Sequence, residues 1–287
     1  MRGKIEDKWG AMPAIVPYRL KLTGDLADDH QFEGYDGYMA LAGFAWTLSL
    51  VANYADTGKI RQRGEFDGRH AVRAKAPEEG SVIANFLVKL TNNPADVFGS
   101  MAGDASSGSF LDALVRRVIN KNLGETVDDE ALARLLANRA RTGDVEALVA
   151  ITEAPIRQAH SVIGSGAEEM LISGGININP IATFDQSTKE YVKQNVEDNH
   201  EITKTFSVSA FNANSGYGSV FDQDHGHVIP FSMKREKLRQ FRQVFSWGLD
   251  QYSNRTGGMI HATFTRILAM DGRPKRYVIH SAEKAAA

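Results

Sequence analysis

The chain has no cysteine among its 287 residues. This one absence excludes a disulfide framework, a thiolate metal centre and a cysteine nucleophile, and it fits a reducing compartment. Long uncharged apolar runs are also lacking, with one exception. Tyr38 to Ala55 carries no charged side chain, but it is shorter than the roughly 20 apolar residues of a spanning helix. Gly43, Thr47, Ser49 and Asn53 also interrupt it. It reads as a buried soluble helix. The opening MRGKIEDKWGAMPAIV has no apolar core of signal-peptide length, because Glu6 and Asp7 break it. The expectation is a cytoplasmic protein that stays out of the membrane.

Motifs of standard enzymes are missing as well. There is no G-x-S-x-G elbow, no H-E-x-x-H pair and no dinucleotide fingerprint. Gly99 to Gly108 is rich in small residues and precedes a helical pattern, as phosphate loops do. It lacks the closing Gly-Lys-Ser/Thr and reads as a linker. A noncatalytic protein that needs no cofactor is the expectation.

What is present is an ordinary globular balance. Hydrophobic residues make up 43% of the chain and charged residues 24%, enough apolar mass for a real core. The net charge of −2 conceals an asymmetry. Residues 201–287 hold 12 Lys and Arg against 7 Asp and Glu, whereas residues 1–200 hold 21 against 28. A basic part beside an acidic part signals either division of labour or mutual attraction.

Hydropathy period divides the chain further. Residues 1–92 read as an α/β module: a strand over Ala14–Leu22, the helix over Gly34–Ala55, then strands over Lys59–Phe66, His70–Ala76 and Ser81–Leu90. Between the first strand and the helix, Asp25, Asp28, Asp29 and His30 read as a solvated loop. Residues 93–175 form a helical region, with helices over Phe110–Asn122, from Thr126 and from Asp144, stopped by Gly174-Gly175. Residues 176–200 read as a connector with a short helix, where Ser187 and Glu190 have capping-box spacing. Residues 201–287 show three strands, an amphipathic helix over Lys234–Leu249 and two more strands. That order is the one found in the OB fold, a small closed barrel. The fold class is therefore α+β: an N-terminal helix on a small antiparallel sheet, a helical middle, and a C-terminal OB-like β-barrel with one helix.

Within the last part, Phe211-Asn212, Gly216-Tyr217-Gly218, Asp224 to Gly226 and Val228 to Phe231 together resemble the first half of a cold-shock domain. The likeness covers about 20 residues and implies a barrel. It departs from that family at Ser219, where a second exposed aromatic is expected, and in the inserted helix. In its overall layout the chain resembles uncharacterised bacterial proteins found with anti-phage systems. That likeness implies a setting in antiviral defence and no site residue.

Two functions from different classes follow. The first is recognition or adaptor work within a protein assembly, with a protein partner or a homo-oligomer. The second is binding of single-stranded nucleic acid or a nucleotide, through a basic groove with aromatic stacking. Its candidates are Lys204, Tyr217, Arg266, Lys275, Arg276 and Tyr277. Alternatively, the same basic face could dock on the acidic N-terminal part. A third reading, a metal-dependent hydrolase, rests on Asp222, Asp224, His225 and His227, whose donor types suit zinc, manganese or iron. Strand alternation would send the two carboxylates and the two imidazoles to different faces.

Overall fold

The computed structural model describes residues 14–60, 71–75, 82–99, 106–125, 143–175, 177–193, 195–268 and 272–285. The first core is built on a five-stranded antiparallel sheet of order β2-β3-β1-β4-β5. Its strands are β1 (Ala14–Thr23), β2 (Val72–Ala74), β3 (Ile83–Leu90), β4 (Glu169–Gly174) and β5 (Asn179–Phe184). Period-two alternation sets the inner face. Val16, Tyr18, Leu20 and Leu22 of β1 are buried, as are Ala84, Phe86, Val88 and Leu90 of β3. Tyr18 stands opposite Phe86 on one side and Gly174 on the other.

Helices cover that inner face in two tiers. α1 (Gly34–Thr57) and α3 (Ser107–Asn122) lie on the sheet, and α4 (Asp144–Ala159) lies across both of them. Short α2 (Pro94–Phe98) closes one end, with Asn93 accepting from the Ala95 amide as its cap. The apolar girth of α1 is explained by its place between β3 and α4. No helix among the described residues is long and apolar enough to cross a membrane.

The second core is a closed barrel of order β10-β8-β7-β6-β9. Its elements are β6 (Val196–Phe211), β7 (Tyr217–Asp222), β8 (His227–Met233), α6 (Arg235–Asn254), β9 (Ile260–Leu268) and β10 (Pro274–Lys284). All neighbours are antiparallel except β10 and β8, which pair in parallel at Tyr277–Phe231. The first strand is long and bulged, so it pairs with β7 through one half and with β9 through the other. Closure leaves no free sheet edge, and α6 packs on β6 and β10. This architecture is compatible with the OB-like barrel expected from the element order.

Several boundaries move. The sequence reading stops a helical region at Gly174-Gly175 and places a connector after it. The structure has a β-hairpin there instead: β4 and β5 join the N-terminal sheet, and Gly175 (φ 80°) and Ile178 (φ 49°) form the turn. Strands of six residues give too short a pattern to separate from a helix end. Consequently residues 16–192 share one core, and the expected divisions after 92 and after 175 coincide with no gap in it. The short helix α5 (Gln186–Lys193) is capped two residues earlier than the Ser187–Glu190 spacing indicates. Asp185 accepts from the Thr188 amide (2.8 Å), and the Thr188 hydroxyl accepts from the Asp185 amide (2.8 Å). Pro155 sits inside α4. The expected helix from Thr126 and all but Lys59 and Ile60 of the expected strand Lys59–Phe66 lie outside the described residues.

Candidate functional site

The two cores meet on α4. Its first turn anchors the barrel through Asp144, which is buried. One carboxylate oxygen accepts from the Tyr54 hydroxyl of α1 (2.9 Å), and the other accepts from the Asn212 side-chain amide (2.8 Å). Asn212 sits in the β6–β7 loop, where its own oxygen accepts from the amides of Asn214 and Ser215 (3.0 Å each). Gly143, just before the helix, lies so close that a Cβ there would come within 2.1 Å of the Asn212 nitrogen. In OB-type barrels, the faces of the second and third strands and the loop between the first two take ligands. Here the corresponding loop and strand β7 rest on α4. A cleft of about 380 Å³ opens beside this contact, lined by Asp144, Asn212, Asn214, Ser246, Asp250 and apolar neighbours. Its charged lining is acidic, which does not suit a phosphate.

Further along α4 the junction becomes ionic. Arg276 donates to Glu153, and the side-chain amide of Asn195 donates to the same carboxylate (3.1 Å). Burial opposes ionisation of Glu153, but Arg276 and Asn195 together overcome it and hold its pKa below the usual carboxylate value. Lys275 donates to the Tyr191 carbonyl and to Asn195 Oδ1 (2.8 Å each), with its ammonium 5.0 Å from the centre of the Tyr191 ring. Burial pulls the Lys275 pKa down to about 8, with Glu153 acting in the opposite direction. Lys121 of α3 pairs with Glu146 of α4 in the same region. The partly open cavity between these groups, about 40 Å³, is of a size for water.

The structure brings together three of the six basic and aromatic candidates. Tyr217, Lys275 and Arg276 all line that small cavity, beside Glu153 and Tyr191. The other three are elsewhere. Lys204 on β6 reaches Asp222 (3.5 Å) and Asp224. Arg266 Nε donates to Asp198 (2.9 Å). Tyr277 is buried in the barrel, and its hydroxyl donates to Asp222 (2.6 Å). These six residues therefore form no common groove, and the four cations among them each face a carboxylate or a carbonyl.

The metal candidates are equally dispersed. Asp222 is buried under Tyr277 and Lys204, and its other oxygen accepts from the Asp224 amide (2.9 Å). His225 is exposed in the hairpin turn and His227 is exposed at the start of β8, with the His225 carbonyl 2.9 Å from His227 Nδ1. Among the described residues, no group of three or more His, Asp or Glu side chains is arranged to hold a metal ion. Asp198 is engaged with Arg266 and the His200 amide (3.1 Å).

The surface that motif reading passes over is the outer face of the first sheet. The helices of the first core pack on the other side. Cross-strand pairs place Lys21 between Ile83 and Leu171, Arg19 between Asn85 and Ser173, and Pro17 beside Leu87. Ile15 faces Lys89, and Arg73 faces Leu87. Ile15 is 61% exposed and Leu171 is 37% exposed. The face is thus half apolar and carries Arg19, Lys21, Arg73 and Lys89 against Glu169. The signal for it was the alternation of Ile15, Pro17, Arg19 and Lys21 with the buried residues of β1.

Residues 18–193 match a family described as a domain of unknown function (DUF7946). Residues 200–283 match one described as a family of unknown function (DUF7947). No curated protein and no solved structure matches the chain.

Proposed function

We propose that this chain, which belongs to the DUF7946 family, is a noncatalytic recognition or adaptor protein that works inside a protein assembly and docks through the outer face of its first sheet. The observation that carries the reading is that face itself: apolar residues and cations alternate across four strands, uncovered by any described helix. Mixed apolar and charged surface of this kind suits a protein partner. Bacterial anti-phage defence is the setting that the layout resemblance implies.

Nucleic-acid binding by the barrel is the weaker reading. Tyr217, Lys275 and Arg276 are engaged with the first core, and an oligonucleotide would have to displace α4 to stack on them. A photo-reactive amino acid at Leu171, activated in the cells that make the protein, tests the proposal. Protein adducts identified by mass spectrometry are the expected result. Recovery of nucleic acid alone, or of no adduct, would overturn it.

A further inference from the structure

A second patch lies directly beyond the end of β1. The turn after Gly24 exposes Asp25, Asp28 and Asp29, and Glu33 follows at the start of α1. Tyr35 and Tyr38 stand out from the first turns of α1, 77% and 69% exposed, with Phe32 edge-on to Tyr38 at 5.5 Å. Exposed tyrosines are enriched at protein interfaces, and here exposed carboxylates neighbour them along the chain.

The two patches are complementary in sign and adjacent on one chain. Lys21 and Asp25 are separated by three residues at the point where β1 leaves the sheet. Face-to-face stacking of two sheets would oppose Arg19, Lys21, Arg73 and Lys89 to their own copies, which is repulsive. An offset two-fold arrangement instead lays the acidic aromatic patch of each copy on the basic sheet face of the other. Both contacts form at once, as closed two-fold symmetry requires. A nucleic acid fits less well, because the named residues of the basic face include no aromatic ring for stacking, and the exposed tyrosines lie among carboxylates.

We infer that the partner of the outer sheet face is a second copy of this chain, held in a two-fold dimer by Arg19, Lys21 and Leu171 of one copy against Asp28, Asp29, Tyr35 and Tyr38 of the other. The inference rests on the docking role proposed above and names its occupant. Sedimentation velocity of the purified full chain is expected to show concentration-dependent dimerisation that weakens with salt. Lys21→Glu alone should raise the dimer dissociation constant at least about tenfold, and so should the Asp28→Lys/Asp29→Lys pair alone. An equimolar mixture of the two variants should dimerise again, because each copy then meets its complement at both contacts. That restoration also shows that both variants are folded. A monomer at every concentration, or variants that associate as the parent does, would overturn the inference. Photo-adducts of Leu171 with a different protein, beside a monomeric chain, would overturn the second copy and leave the docking role standing. Absence of any protein adduct together with a monomeric chain would remove both.

Discussion

The fold disfavours the charged form of the His160 imidazole. It is fully buried, its Nδ1 lies 2.8 Å from the Ile156 carbonyl and its Nε2 lies 3.2 Å from the Thr188 hydroxyl. Its ring stacks on Phe184 at 3.9 Å. Burial lowers its pKa from 6.5 to about 4, although the Ile156 carbonyl and Asp185 pull the other way. In the unfolded chain it takes up a proton near pH 6.5, and in the folded chain only near pH 4. Stability from this group is therefore present above pH 6.5 and is lost as the pH falls toward 4, by up to about 3 kcal/mol. Urea unfolding at a series of pH values is expected to show this slope, and His160→Gln to flatten it whatever the variant does to stability at neutral pH. Residue type was a poor guide at this scale. His225, His227, Asp222 and Asp224 have the right donors for a metal, but the strand pairing turns the carboxylates to Lys204 and Tyr277 and the imidazoles to solvent. His160, with no motif around it, has surroundings that change its chemistry. Only the packing of β5 and α5 against α4 reveals that.

At the level of elements, period and punctuation served well where an element is long. β1, α1 and α3 lie within a few residues of where alternation and helical spacing place them, and the barrel has the expected order of three strands, a helix and two strands, although α6 runs past Leu249. They failed at the six-residue strands β4 and β5, where β4 pairs with β1 across more than a hundred residues of chain and β5 pairs with β4. The helix α4 is the element on which the molecule turns. Gly43 lets α1 approach it: a Cβ there would come within 2.5 Å of the Pro155 carbonyl oxygen and 2.7 Å of the Ala159 nitrogen. Both obstacles are backbone and cannot rotate away. Gly43→Ala is expected to cost about 1–3 kcal/mol by overpacking, read as a lower thermal midpoint. Gly34 lies at the exposed start of the same helix with no atom within reach, so Gly34→Ala serves as the control with little effect.

For the whole molecule, the charge asymmetry between the two parts was the informative signal, and the alternative it pointed to was docking of one part on the other. The junction is built that way, with Arg276 and Lys275 of the barrel against Glu153 and Tyr191 of the first core. The location of those contacts was not legible, because Glu153, Tyr191 and Asn195 belong to no motif and sit in two segments almost forty residues apart. Truncating Arg276 to Ala leaves a largely buried carboxylate without its closer cation, with Arg157 at 3.5 Å remaining. The expected loss is about 2–5 kcal/mol, and the Glu153→Gln/Arg276→Ala pair should cost less than the sum of the single changes. A double-mutant cycle by chemical denaturation measures that coupling.

The strand order of the two cores also sets a schedule for synthesis. The central strand β1 has β3 beside it early, but its other neighbour, β4, is made about 150 residues later. Its hydrogen-bonding edge stays open on the ribosome until that hairpin emerges. The first core then has all its parts by Val192, before any barrel strand exists, whereas the cylinder can shut only after β10 reaches β8. A nascent chain therefore carries a finished first half while the second is still threading out, and α4 is ready as the platform on which the later half settles.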